Sequence, residues 1–241
     1  MNDERLYQDQ AELYDAIYAS KPYREEAARL HEVLASLGVS DGARVLEAAC
    51  GTGSYLRELA RWYQPSGFDQ SAAMLTIARR KVPSVPLFEA DLRAFSVDRP
   101  VDAALCLFSS FGYLYDDEAR ARSLGCFAQA VRPGGVLLLE PFVSADSYRE
   151  GSTHLQTYEG SELKCVRASV SRRVGDVAVI DFAWLVLRQG ASSIDHFTET
   201  HSLALHDAKR LDRLVEAAGF EPVTVATHLV GDRSLVAARR R

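Results

Sequence analysis

The chain has 241 residues, 47% of them hydrophobic and 25% charged, with a formal net charge of -5. That length suits one α/β domain with an insertion, and the negative balance argues against nucleic acid or an anionic membrane as partners, the short run Arg239, Arg240 and Arg241 notwithstanding. Four cysteines without Cys-x-x-Cys spacing suggest neither a zinc site nor a disulfide framework, and neither a signal core nor an apolar run of ~18 residues is present, so a cytoplasmic protein with reduced thiols is expected.

Residues 1–24 carry Tyr7, Tyr14, Tyr18 and Tyr23 in a polar, helical frame. Tyr14 and Tyr18 are one helical turn apart, a spacing that suits stapling this segment to a core. In 25–37, Ala27, Leu30, Val33, Leu34 and Leu37 recur at helical spacing, and Gly38 closes the helix.

The apolar run 44–48 ends in a small-residue turn, Ala49-Cys50-Gly51-Thr52-Gly53, and a helical pattern starts at Ser54. Gly51 and Gly53 let the backbone take positive φ and approach a ligand, and the helix start supplies free N–H groups, so the turn reads as a cofactor cradle. Leu56 stands where a dinucleotide fingerprint wants its third glycine, which weakens a pyrophosphate reading; no lysine follows Gly53, which excludes a phosphate loop.

Behind the cradle, Tyr55, Leu56, Leu59, Ala60 and Tyr63 form the apolar face of the next helix. A second strand closes at Phe68-Asp69, Ser71 caps a helix carrying Met74, Leu75 and Ala78, and a third strand over 85–92 ends with Asp91. A buried fourth strand, 101–108, a helix to Ala130, the turn Pro133-Gly134-Gly135 and a fifth strand from Val136 complete an alternation that implies a parallel sheet with right-handed crossovers. After Pro141 the period changes to two over 162–174, 177–187 and 194–205, which predicts antiparallel strands within an insertion at 143–205. A last helix, 208–218, leads to strands at 223–225 and 235–237.

The run Glu47-Ala48-Ala49-Cys50-Gly51-Thr52-Gly53 resembles the first motif of class I S-adenosylmethionine (SAM) methyltransferases, with Ala49 in place of the usual first glycine. The resemblance implies a Rossmann-like α/β fold: a seven-stranded, mostly parallel sheet with helices on both faces, plus an antiparallel β segment inserted before strand six. It implies one domain over 1–241 whose residues 1–24 form a lid. It also implies SAM as cofactor, with Glu47, Ala49, Gly51 and Gly53 around it, Asp69 accepting from the ribose hydroxyls and Asp91 from the adenine amine. Tyr14, Gln70, Met74, Leu92, Leu107 and Phe108 complete that expected set, although a methionine at helical spacing is equally a core filler.

The stretch Cys106-Leu107-Phe108-Ser109-Ser110-Phe111-Gly112-Tyr113, with Glu140-Pro141 after it, is similar to the dTDP-amino-sugar N,N-dimethyltransferases of the desosamine and mycaminose pathways. Tyr113 stands where those enzymes hold a histidine near the acceptor amine, and Phe142-Val143-Ser144 replaces an aromatic-rich stretch. The resemblance places Ser109, Ser110, Tyr113, Phe142, Arg167 and His196 toward the acceptor, Arg167 against a diphosphate, and Tyr14 and Tyr113 beside the transferring methyl. A surface arginine on an edge strand is the plainer reading of Arg167. A phenol with pKa ~10 is a poor proton acceptor at neutral pH, so the two tyrosines are expected to orient, and no metal is required. Methylation of nitrogen or oxygen on another small metabolite, and SAM binding without turnover, stay open, as does a homodimer through the inserted strands.

Overall fold

The computed structural model describes residues 5–8, 10–225 and 234–241; residues 1–4 and 9 of the expected lid lie outside these. In chain order the helices are α1 (Ala11–Ile17), α2 (Tyr23–Ser36), α3 (Ser54–Leu59), α4 (Ala72–Lys81), α5 (Asp117–Ala130) and α6 (Ala208–Ala217). The strands are β1 (Arg44–Ala48), β2 (Gln64–Asp69), β3 (Leu87–Glu89), β4 (Val101–Cys106), β5 (Val131–Leu139), β6 (Thr153–Glu159), β7 (Leu163–Val174), β8 (Val177–Arg188), β9 (Asp195–Ala204), β10 (Phe220–Val223) and β11 (Val236–Arg240).

Seven strands form one sheet in the order β10-β11-β5-β4-β1-β2-β3. The pairs among β1 to β5 are parallel, whereas β11 runs antiparallel to both β5 and β10. The central strands β1 and β4 and the second half of β5 are nearly continuous apolar runs because they have helices to cover on both faces. Val45, Leu105 and Leu138 pack with Leu30, Val33, Leu34 and Leu59 of α2 and α3. Leu46, Ala104 and Leu137 pack with Leu124, Phe127, Leu211 and Val215 of α5 and α6 on the other side.

Leu56, in the place of a third glycine, needs room that the neighbouring strand provides. A Cβ added to Gly67 of β2 would stand 2.7 Å from Leu56 Cδ1 and 3.0 Å from Cys50 Sγ, so the missing glycine of the loop is matched by one on the strand.

Strands β6 to β9 make a separate antiparallel sheet in that order. Its inner face carries Cys165, Trp184, Val186 and Phe197, which pack against Leu6, Leu13, Ala16 and Ile17 of the N-terminal segment. That segment is therefore held between the small sheet and the main one.

Several expected boundaries are corrected. β6 escaped the periodicity because it is an edge strand of Thr, His, Gln and Glu with little apolar content. α3 stops at Leu59, and Tyr63 is reached by a turn, where its hydroxyl meets His31 Nδ1 at 2.9 Å. β5 begins at Val131, continuing through Pro133-Gly134-Gly135 with a register shift against β4. β3 ends at Glu89, which leaves Asp91 in the following turn.

Candidate active site

The strand order reverses between β1 and β4, the point where open α/β sheets hold ligands beyond their carboxyl ends. A cavity of about 310 Å³ opens there. The two strand tips that frame it are strained: Ala49 (φ 54°), Phe108 (φ 53°) and Ser109 (φ 65°) hold left-handed backbone conformations without being glycine. A carboxylate pins each tip. Asp69 accepts from the backbone N–H of Gly51 at 2.9 Å and of Ser71 at 2.8 Å, while Glu140, at the end of β5, accepts from that of Phe108 at 2.7 Å.

These carboxylates shape the local electrostatics. Burial raises the Asp69 pKa above its ordinary value, and the backbone donors Ser71, Gly51 and Gln70 oppose that rise. Glu47, 2% exposed, is raised well above the carboxylate range, first by burial and then by the Asp69 charge. Its Oε2 has no hydrogen-bond partner, and the side chain lines a small adjoining cavity of about 30 Å³ with Tyr14, Tyr23 and Leu107. Burial also raises the Tyr14 phenol well above its ordinary pKa, helped by the tyrosines around it.

The N-terminal segment is latched onto the cradle. Lys81 Nζ on α4 donates to Asp15 Oδ1 on α1 at 2.8 Å, to Ser54 Oγ at 2.8 Å and to Thr52 Oγ1 at 3.0 Å, and Thr52 itself donates to Asp15 at 2.5 Å. Tyr14 and Tyr18 lie tilted against each other at 4.8 Å between ring centroids, and Tyr18 meets Phe108 edge-on at 5.0 Å. The segment is thus stapled to the cradle by ion pairs on one side and aromatic rings on the other.

The main cavity brings together Tyr14, Ala49, Gly51, Asp69, Gln70 and Met74 with Asp91, Leu92, Phe108, Ser110 and Tyr113. Leu107 joins Glu47 in the small cavity. Asp91 is not a free acceptor: Arg93 holds both carboxylate oxygens, which lowers the Asp91 pKa.

Five expected residues stand elsewhere. Gly53 faces α4, where an added Cβ would lie 3.2 Å from Val82 Cγ2 and 3.3 Å from Ala78 Cβ. Ser109 shapes the strained turn without lining either cavity. Phe142 packs behind Gly112, and its carbonyl accepts from His206 Nδ1–H at 2.6 Å. Arg167 is neither at a surface nor on an edge strand: 6% exposed on β7, it is caged by the rings of Tyr18, Phe182 and Trp184 and donates to Tyr18 Oη at 3.1 Å. His196 is exposed on the outer face of the small sheet, because the two-residue strand period turns Phe197, Glu199 and His201 inward instead.

Sequence reasoning missed Tyr7, Ser71 and Arg93 on the cavity wall, and it missed His201, whose Nδ1 lies 2.6 Å from Tyr113 Oη. The odd-numbered alternation of β9 was the one signal for His201.

A crevice at the switch point, a cradle of small residues and a carboxylate at the tip of β2 together define a class I methyltransferase. Residues 45–135 match the methyltransferase domain family model. The chain is 35% identical over 212 residues, 87% of its length and 82% of the relative's, to the dTDP-3-amino-3,6-dideoxy-alpha-D-glucopyranose N,N-dimethyltransferase of Streptomyces fradiae. Among solved structures it superposes on DesVI of Streptomyces venezuelae with TM-score 0.88 and 26% identity, covering 96% of this chain and 98% of that one. It superposes on SAM-bound CalS10, an amino pentose methyltransferase of Micromonospora echinaspora, with TM-score 0.84 and 29% identity over 95% and 97% of the two chains. The chain belongs to the SAM-dependent methyltransferases, in the family that holds the amino-sugar N,N-dimethyltransferases, and SAM is its cofactor.

Ala49 offers a direct check on the strained cradle. A non-glycine residue in left-handed backbone costs roughly 1–2 kcal/mol. Ala49→Gly is expected to stabilise the protein by about 1 kcal/mol, raising Tm by roughly 2–4 °C in a thermal melt of a chain this size.

Proposed function

We propose that the protein transfers methyl groups from SAM to the amino nitrogen of a dTDP-linked aminodeoxysugar, in the cytoplasm. The observation that carries this reading is a single cavity whose wall runs from the cradle, Ala49, Gly51, Asp69 and Met74, to a polar far side at Ser110 and Tyr113. The relative from Streptomyces fradiae, named for a dTDP-amino sugar, supports the choice of acceptor.

When bound, SAM supplies an electrophilic methyl on a sulfonium. The residues fit it. Asp69, already fixed by two backbone donors, keeps further lone pairs for the ribose hydroxyls. Glu47 has a buried, unpartnered oxygen beside a space large enough for one or two water-sized groups, a match for the amino-acid ammonium. Met74 and Leu92 offer apolar contact to the adenine, and Gln70 a neighbouring amide. Asp91, bound by Arg93, fixes the rim and receives the adenine amine only by sharing its oxygens. Tyr14 closes the methyl-transfer end, and its raised pKa keeps it a neutral phenol that orients the acceptor. Arg167 serves the acceptor side indirectly, by fixing Tyr18 against Phe108.

The small sheet also presents an apolar outer face, with Leu155, Val170, Leu185 and Leu187 between 41% and 69% exposed. A homodimer through this face is part of the proposal; His196 sits on it opposite Leu185. Sedimentation should find a dimer that Leu185→Asp converts to monomer, and a wild-type monomer at all accessible concentrations would remove this part.

Glu47 makes SAM binding pH-dependent. Its pKa is raised in the folded protein, so it holds a proton at pH values where an ordinary carboxylate has lost one, and an arriving ammonium favours the charged form. Binding is therefore expected to release a proton, seen by calorimetry as a heat that varies with buffer ionisation enthalpy. The release should vanish in Glu47→Gln.

The function itself is tested with methyl-labelled SAM against dTDP-amino sugars, the matching free amino sugars and hydroxylated analogues. Label on the nitrogen of a dTDP-amino sugar is expected. Label confined to oxygen, or transfer to none of them while SAM binds, would move the acceptor to another metabolite.

A further inference from the structure

Behind the cavity wall at Tyr113 lies a buried imidazole with a buried carboxylate beyond it. His201 is 4% exposed; its Nδ1 is 2.6 Å from Tyr113 Oη and its Nε2 3.4 Å from Glu199 Oε2. Glu199, 3% exposed, is held from two sides: Oε1 accepts from Trp184 Nε1–H at 2.9 Å and Oε2 from the Leu6 N–H at 2.9 Å.

The tautomer follows from these distances. A bare ring nitrogen facing a carboxylate oxygen would set two acceptors against each other; Nε2 makes no hydrogen bond at this distance, and the Nε2–H tautomer, with Nδ1 as the acceptor, is the one that avoids the clash. Tyr113 then donates its O–H to Nδ1. Its oxygen becomes an acceptor for Tyr7 Oη, 3.0 Å away, and toward the cavity that Tyr113 lines.

We propose that Tyr113, His201 and Glu199 form a proton relay that removes the proton an amine acceptor must lose on methylation, a proposal that rests on the methyl-transfer reading above. The amine lone pair takes the methyl as the carbon–sulfur bond breaks and its electron pair stays on sulfur, which leaves the product nitrogen cationic. Its N–H proton passes to Tyr113 Oη while the phenol proton passes to His201 Nδ1. The phenol is restored, and the imidazolium keeps its Nε2–H against the Glu199 carboxylate until the proton returns to bulk water. An imidazole, with an ordinary pKa of ~6.5, takes a proton at neutral pH that a phenolate never needs to hold.

The groups around the imidazole suit this. Glu199 faces it from the same strand, Tyr113 from the turn after β4, and Tyr7 from the N-terminal segment with its ring 5.2 Å away between centroids. The Phe182 ring of β8 lies 5.2 Å away, and the Arg167 guanidinium of β7 sits over that same ring. The cation is thus one aromatic layer removed from the imidazole, and the carboxylate is next to it.

The test combines kinetics with an observation on the resting protein. Nitrogen-15 NMR of histidine-labelled protein should show His201 as the Nε2–H tautomer, and Glu199→Gln should disturb that signal. With an accepted amine, kcat of the wild type should show an acid limb. His201→Gln should remove that limb and lower kcat by about 10²-fold or more, the range of positioned acid–base catalysis, with SAM affinity by calorimetry unchanged. Tyr113→Phe should cost a similar factor, and the double variant little more than either alone. An Nδ1–H tautomer, an acid limb that persists in His201→Gln, or fully additive losses would overturn the relay. Wild type that methylates no amine would instead overturn the function on which it rests.

Discussion

One carboxylate joins the loops on which the site is built. Asp69, at the tip of β2, accepts from Gly51 in the turn after β1 and from Ser71 at the start of α4. Two loops from adjacent parallel strands are thereby locked at a fixed separation, and the left-handed Ala49 between them is kept in a conformation it would otherwise leave. Burial makes the Asp69 charge costly, and the backbone donors offset that cost only in part. The side chain is half-buried at the cavity wall, within reach of a ligand bound there.

The small sheet gives that cradle its closed face. By burying Leu13, Ala16 and Ile17 of α1 against Trp184 and Phe197, it brings Tyr14 to the cavity wall and Tyr18 against Phe108, and Lys81 fastens the same helix to Thr52 and Ser54 through Asp15. Lys81 is itself desolvated, which lowers its pKa, so its contacts with Asp15 are made where water screens them weakly. The N-terminal segment is thus ordered by two different surfaces. The same packing puts Tyr7 against Tyr113 and His201, joining the N-terminal segment to the cavity wall after β4.

Much of this was legible in the residues. Strand, turn and helix around Gly51 follow from apolar runs broken by small residues, and Asp69 from its place at the end of the next strand. What escaped depends on contacts between distant parts of the chain. Glu199 and His201 look like an unremarkable polar alternation until β9 packs on the N-terminal segment. Arg167 reads as a surface cation until three rings close around it. Asp91 reads as a free carboxylate because nothing in its spacing announces that Arg93, two residues on, will fold back onto it. Local pattern fixes which face a residue takes, and tertiary packing decides what it meets there.

The most direct measurement is the affinity for SAM of wild type and of Asp69→Asn, by titration calorimetry, with thermal melts to verify folding and NAD as a control ligand. Replacing the carboxylate by an amide of the same shape removes acceptor capacity from buried hydroxyls. SAM binding should weaken by roughly 1–3 kcal/mol, about five- to 150-fold, and NAD should not bind to either protein. An unchanged SAM affinity in a folded Asp69→Asn protein, or NAD binding in place of SAM, would contradict the assignment of this cradle.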